Sequence, residues 1–331
     1  MPAHVNSVVP LTLSVDAIEA ARGRLRGIAV RTPLVPLAVP GGGRERRISL
    51  KLETLQPVGS FKIRGAGSAI SAAPRERLAR GVYTASAGNM AQGVAWCARA
   101  LGVSCTVIVP EHAPTAKTSA VERLGGTIVR VPFARWWQVL AERSYPGQDG
   151  LFVHPFSDPD VIAGNATIAA EILEDAPETD TVLVPFGGGG LACGIALGLR
   201  ALGSTARVIA CEVDTAAPLA PSLRAGHPVT VDRTASFVDG IGSTTVMAEM
   251  WPLVSTVLSG SVTSTLAEVA DAVRFLAERA HVVAEGAGAA PVASVLSGAA
   301  GTGGEHVVCI VSGGNIDVAP LVAILQGRVP S

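Results

Sequence analysis

The amino-acid sequence predicts an α/β fold of two lobes, each an open, mostly parallel sheet flanked by helices, and three observations carry that expectation. Short β-rich runs alternate with Ala-rich helical stretches through most of the chain. The runs are nearly continuous in hydrophobicity, the pattern of strands covered on both faces. The chain has 331 residues, more than one core usually organises, and its 37 glycines suit many tight turns between strands and helices.

The first element is a helix: Ser14 can cap it, Asp16 falls in its first turn, and Arg22, Arg24 and Arg26 lie toward its C-terminal end, where cations complement the helix dipole. Strands are then expected at 47–52, 82–84, 105–109 and 127–131, with a helix from about Asn89 to Leu101. Three more β-branched runs follow at 181–184, 207–211 and 306–311. The segment 135–150 is the most irregular, with Trp136, Trp137, Tyr145, Pro146 and Gly147 close together. It reads as a lobe boundary or a loop near a substrate, one tryptophan packing in the core and the other covering a surface. The larger lobe is expected to combine residues 1–82 with 157–331, and the smaller to occupy 83–156.

Hydrophobic residues make up 48% and charged residues 16%, so the chain has ample core and no disordered character. With 26 basic and 27 acidic residues and no basic block, nothing points to nucleic acid or an anionic membrane. Cys97, Cys105, Cys193, Cys211 and Cys309 are scattered and never form a CxxC pair, which fits reduced thiols better than a disulfide framework or a zinc site. Residues 1–13 lack a basic stretch followed by a clean apolar run, and apolar runs such as 191–199 are too short to span a bilayer. A soluble, cytoplasmic protein without a metal is the expectation.

Four constellations could carry chemistry. In the first, an apolar run enters Gly187, Gly188, Gly189 and Gly190 and continues through Leu191 into a helical stretch. Such a loop lets a ligand reach backbone N–H groups at a helix N-terminus, so a phosphate is the natural guest. It is neither a spaced G-x-G-x-x-G nor a P-loop, and it does not say which phosphate compound binds. The second is Gly59-Ser60-Phe61-Lys62-Ile63-Arg64-Gly65. A lysine between Phe and Ile suits an enclosed site, where burial favours the unprotonated amine a Schiff base needs, although alone it reads better as a surface lysine beside a turn. The third is the turn Ser86-Ala87-Gly88-Asn89-Met90, able to hold a carboxylate or an aromatic hydroxyl, or simply to cap a helix. The fourth is Ser312-Gly313-Gly314-Asn315 after an apolar run, where open α/β sheets place their ligands, with Glu285 in Ala-Glu-Gly-Ala-Gly expected in a similar position at a strand end.

Taken in order, these motifs resemble the serine/threonine dehydratases (threonine ammonia-lyases), fold-type II pyridoxal-phosphate enzymes related to serine racemase. The resemblance runs from Arg31-Thr32-Pro33-Leu34 to Asp317. It implies that Lys62 carries pyridoxal 5'-phosphate as a Schiff base beside Phe61, and that Gly187 to Leu191 hold the phosphate. It also implies that Asn89 bonds the ring hydroxyl, that Glu285 belongs to the cofactor site, and that Ser312 faces the pyridine nitrogen. Ser86, Ala87, Gly88, Asn89 and Met90 would receive the carboxylate of a small amino-acid substrate. A neutral hydroxyl at the ring nitrogen makes a weaker electron sink than a carboxylate partner would, which favours β-elimination over transamination. The implied reaction turns a β-hydroxy amino acid such as threonine or serine into a 2-oxo acid and ammonia, by a homodimer.

Departures from the pattern shape this expectation. Related racemases carry a serine where this chain has Ala87, which argues against racemisation. Met90 stands where the family usually has histidine, and with Trp136 and Trp137 it brings in a bulkier substrate of the phenylserine type. Gly164-Asn165-Ala166-Thr167 replaces the usual Gly-Gln-Gly-Thr, and Pro218 replaces a carboxylate near Glu212 and Ala216 of the family's cation site. A β-replacement enzyme, a racemase and a non-catalytic cofactor-binding protein are the other readings.

Overall fold

The computed structural model describes residues 12–39, 46–113, 115–299 and 304–330, so most of the stretch read for a leader, 1–13, lies outside the described residues. Ten strands form among these: β1 (Leu34–Pro36), β2 (Arg47–Leu52), β3 (Val82–Ala85), β4 (Cys105–Pro110), β5 (Thr127–Val131), β6 (Leu151–Phe152), β7 (Thr181–Pro185), β8 (Arg207–Val213), β9 (Gly260–Ser264) and β10 (His306–Val311). They make a six-stranded sheet in the order β1-β2-β10-β7-β8-β9 and a four-stranded sheet in the order β5-β4-β3-β6. Every pairing is parallel except β1 with β2. All seven expected runs are strands.

The central strands explain their sequences. β7 is buried along its whole length and β10 along all but its first residue. One face of the six-stranded sheet packs against the helices Pro159–Asp175, Gly190–Ala201 and Trp251–Val257, the other against Leu266–Phe275 and Gly286–Leu296. A third core lies between helices Lys62–Ala72 and Asn89–Ala100 and the four-stranded sheet. All five cysteines are free and buried, two on the smaller sheet's side (Cys97, Cys105) and three around the larger (Cys193, Cys211, Cys309). Burial pushes each thiol upward, Cys105 and Cys211 to about 12.

The first helix is Val15–Arg24, and Ser14 Oγ accepts a hydrogen bond from Ala17 N at 3.2 Å, as its sequence implies. Arg22 and Arg24 tie it to Glu174 (2.7 Å) and Asp160 (3.1 Å) of helix Pro159–Asp175. The first half of the segment 135–150 is helical, and only 143–150 is irregular. Phe133–Glu142 forms a helix that ends on Arg143 in the left-handed region, with Trp136 half-buried and Trp137 exposed. No helix among the described residues is long and apolar enough to cross a membrane.

A buried ionic cluster fixes the start of helix Lys62–Ala72. Arg64 donates from Nε to Glu53 at 2.8 Å and from Nη1 to Glu171 at 2.6 Å, while Lys51 Nζ lies 2.6 Å from Glu171. Charges this deep persist only when each is paired and hydrogen-bonded. The pairing locks the helix onto the end of β2 and onto helix Pro159–Asp175, so its first residue, Lys62, has a fixed origin.

Candidate active site

A cavity of about 570 Å³ opens between the two sheets, at the carboxyl ends of β3, β7 and β10. Phe61, Lys62, Ser86, Ala87, Gly88, Asn89, Met90, Gly187, Gly188, Gly189, Gly190, Leu191, Glu285 and Ser312 all line it. Motifs separated by up to 251 positions thus converge on one wall system (312 less 61).

Lys62 opens its helix next to the end of β10: Phe61 N donates to Ser312 O at 3.0 Å, and Gly314 N to Gly59 O at 2.9 Å. The Lys62 amine donates to Pro155 O at 2.8 Å and lies 5.1 Å from the Phe61 ring centroid. Burial lowers its pKa to about 8, against an opposing pull from Glu285. A far larger share of this amine than of an ordinary lysine is therefore unprotonated near neutral pH, rising to half at about pH 8, and able to act as nucleophile or base.

Glu285 is buried, and burial raises its carboxyl to about 7, partly offset by the hydrogen bond it accepts from Asn89 Nδ2 at 2.8 Å. The expected strand end is not what positions it. Glu285 is the N-cap residue of helix Gly286–Leu296 and follows a turn from helical residues, with its backbone N donating to Gly313 O. Asn89 Oδ1 in turn accepts from Asn315 Nδ2 at 2.8 Å, which makes a polar chain Asn315–Asn89–Glu285 across the cavity floor. Asn315 was legible only as part of its motif.

The glycine loop leaves β7 and enters helix Gly190–Ala201, with Gly189 in the left-handed region at φ +88°. The first N–H groups of that helix have no intrahelical acceptor, the arrangement that suits an anion at the cavity wall. A Cβ on Gly188 would fall 2.3 Å from the Phe156 ring, and one on Gly190 would fall 2.5 Å from Phe156 O. The loop is thus pressed onto Phe156, and only glycine fits there. Asn165, noted in the sequence only as a departure, donates to Gly190 O at 3.1 Å and so braces the same helix start.

Two expectations change in detail. Met90, 2% exposed, belongs to the hydrophobic core cluster that holds Ile63 and Val94 while also bordering the cavity, so its side chain is largely taken up by packing. Trp136, with Phe133, lines the cavity and does not simply fill the core. Glu212 spends its carboxylate on Leu219 N (2.8 Å), Ala220 N (3.0 Å) and Ser261 Oγ (2.7 Å), which caps a short helix. Sequence reasoning missed Pro155 and Phe156, and the ion pair between Lys117 and Asp239 on opposite sides of the cavity mouth.

A family model described as pyridoxal-phosphate dependent enzyme matches residues 25–313. The chain is 38% identical over 322 residues to an L-threonine ammonia-lyase of Thermotoga maritima, a match that covers 96% of this chain and 80% of the relative. Its structure is similar to that of maize serine racemase, with a TM-score of 0.86 at 29% identity, covering 96% of this chain and 98% of that one. It is also similar to the T.th. threonine deaminase, with a TM-score of 0.83 at 33% identity over 93% of this chain and 100% of that one.

Proposed function

The chain belongs to the pyridoxal-phosphate dependent enzymes, as its ordered motifs imply, and from that premise we propose that it is a lyase that eliminates water from a β-hydroxy amino acid, threonine first, and lets water hydrolyse the resulting imine, so that the net products are a 2-oxo acid and ammonia. The observation that carries this reading is the meeting, in one cavity, of a lysine amine lowered to about 8, a glycine loop at a helix N-terminus and a strand-end hydroxyl. The residues fit pyridoxal phosphate: the four-glycine loop, seated on Phe156 so closely that Gly188 and Gly190 admit no Cβ, offers helix N-terminal N–H groups to a phosphate, Lys62 offers an amine to an aldehyde, and Ser312 offers a hydroxyl to a pyridine nitrogen.

In this reading Lys62 would hold the cofactor covalently, Gly187 to Leu191 its phosphate, Asn89 and Glu285 the hydroxyl edge, and Ser312 the ring nitrogen. When bound, the cofactor supplies an electron sink for charge developing at the substrate Cα. The turn from Ser86 to Met90 binds the substrate carboxylate at the N-terminus of helix Asn89–Ala100, and Gly88 N, which donates to Ser86 Oγ at 3.3 Å, keeps that turn closed. Lys62, once free, takes the Cα proton. Ala87 has no proton to offer on the opposite face, so it cannot return one to Cα, which favours loss of the β-hydroxyl over racemisation. The same reading makes residues 1–82 with 157–331 the cofactor-binding lobe and 83–156 the closing lobe of a cytoplasmic homodimer.

Phe133 and Trp136 on the cavity wall favour a second substrate class, β-hydroxy amino acids with an aromatic substituent. One experiment covers both. Purified, cofactor-loaded protein is given a panel running from serine and threonine to phenylserine, and 2-oxo acid, ammonia and the enantiomer of each substrate are followed, with Lys62→Ala alongside. Oxo acid and ammonia in equal amounts, absent in the variant, are the expected result, and the fastest panel member names the substrate. Enantiomer without oxo acid, or turnover undiminished in Lys62→Ala, overturns the proposal.

A further inference from the structure

The turn 154–157 leads from β6 into helix Pro159–Asp175 and touches both ends of the cavity. At one end, Pro155 O accepts from the Lys62 amine at 2.8 Å. At the other, the Phe156 ring and carbonyl occupy the space beside Gly188 and Gly190. The turn hangs from β3, with Val153 N donating to Tyr83 O and Thr84 Oγ1 donating to Val153 O, both at 2.8 Å.

His154 sits inside it, fully buried, its ring edge-on to Phe156 at 4.6 Å and to Phe152 at 6.0 Å between centroids. Its Nδ1 faces three donor groups: Ser157 Oγ at 2.7 Å, Ser157 N at 3.0 Å and Phe156 N at 3.4 Å. Backbone N–H groups can only donate. Ser157 Oγ accepts from Arg143 Nη2 at 2.8 Å, which leaves its own proton for the ring. Nδ1 is therefore bare and the ring proton is on Nε2. That N–H is buried with no hydrogen-bond partner among the described residues, and Glu249 Oε1 is 3.9 Å away. A buried donor left unmade carries a cost, so the imidazole is held in this tautomer by what Nδ1 accepts.

We propose that His154 is a positioning residue, whose Nδ1 closes the turn that aims the Pro155 carbonyl at Lys62 and seats Phe156 under the glycine loop. The inference rests on the proposed role of Lys62. The charged groups around His154 are Arg143, Lys62 and Glu249; burial first, then Arg143 and Lys62, keep it neutral well below its ordinary range. The charged group acting on Lys62 is Glu285. The turn thus stays closed across the working pH range, and Lys62 keeps its lowered pKa.

Two variants separate this role from simple space filling. In His154→Asn the amide oxygen falls near the position of Nδ1; in His154→Gln the amide reaches the position of Nε2 and leaves the turn uncapped. Glutamine is the better match in volume, so a space-filling role makes Gln the milder change, whereas the proposed role makes Asn the milder one. The readout on cofactor-free protein is the pH midpoint of Lys62 labelling by an amine reagent, followed by peptide mass spectrometry, together with the affinity for pyridoxal phosphate. Wild type and His154→Asn should share a midpoint near 8, while His154→Gln moves up by about one pH unit as water reaches the amine, and binds the cofactor more weakly. Should His154→Gln not fold, Ser157→Ala, which removes the hydroxyl donor to Nδ1 together with the acceptor of Arg143 but leaves both backbone donors, gives the same reading: an upward shift supports the role and an unmoved midpoint overturns it. Equal midpoints in Asn and Gln, or a milder Gln, also overturn it. Protection of wild-type Lys62 by pyridoxal phosphate tests the underlying assignment separately; without protection, the reading of Lys62 falls first.

Discussion

At the scale of single residues, Glu285 is a cavity carboxyl whose charge the fold opposes. Its carboxyl is raised from about 4.5 to about 7, chiefly by burial. A folded-state pKa above the unfolded one means the stabilising contribution is complete below 4.5 and is lost as pH rises through 7. Glu285→Gln cannot ionise and keeps an oxygen to accept from Asn89. In cofactor-free protein the variant should therefore gain on wild type between pH 4.5 and 7, by at most about 3 kcal/mol, and hold that gain above 7. Denaturant titrations at pH 5 and pH 8 check this, and a difference that does not vary with pH would show that Glu285 is solvated. Lys62 acts in the opposite sense: its pKa is depressed, so its burial opposes folding below about 8 and the opposition fades toward 10.5.

At the scale of elements, the glycine loop and the 154–157 turn behave as one piece, because each fills the space the other leaves. Gly188→Ala puts a methyl group 2.3 Å from the Phe156 ring, an overlap that nothing but displacement of the ring relieves. The substitution should cost roughly 1–3 kcal/mol of stability and weaken pyridoxal-phosphate binding, with part of both recovered in Gly188→Ala combined with Phe156→Ala. Calorimetry of the single and double variants measures the coupling. The loop itself was legible, since four glycines between an apolar strand and a helix have few other uses. Its partner was not: β6 is only two residues long, too short for any periodicity, so the His-Pro-Phe that follows it carried no positional signal. β9 was silent for another reason, being a half-exposed edge strand of Gly, Ser, Val, Thr and Ser. Helix Phe133–Glu142 was hidden because its crowded aromatics read as irregular; its apolar face is divided between a core and a cavity wall. Asn165 and Glu285 are the instructive cases, one visible only as a deviation and the other recognised but assigned to a strand end that does not exist.

At the scale of the whole molecule, two sheets share one cavity, and their halves are bridged by Lys117 with Asp239 at the cavity lining and by Arg143 with Glu249. Exposed pairs of this kind add little to stability and are easily exchanged for water. They are therefore suited to marking a relative position of the two halves without locking it. The five buried thiols turn that arrangement into a built-in clock. A thiol held far above its usual pKa and away from solvent reacts with an alkylating reagent only after its surroundings open. Cys97 and Cys105 report the half built on the four-stranded sheet, and Cys193, Cys211 and Cys309 the half built on the six-stranded one. Timed alkylation read by mass should then count two events: a group of two labels arriving together and a group of three arriving separately if the halves open independently, or all five at one rate if they open as a unit. The chain in effect carries its own isotope-free exchange experiment, in which each sulfur timestamps the breathing of the layer around it.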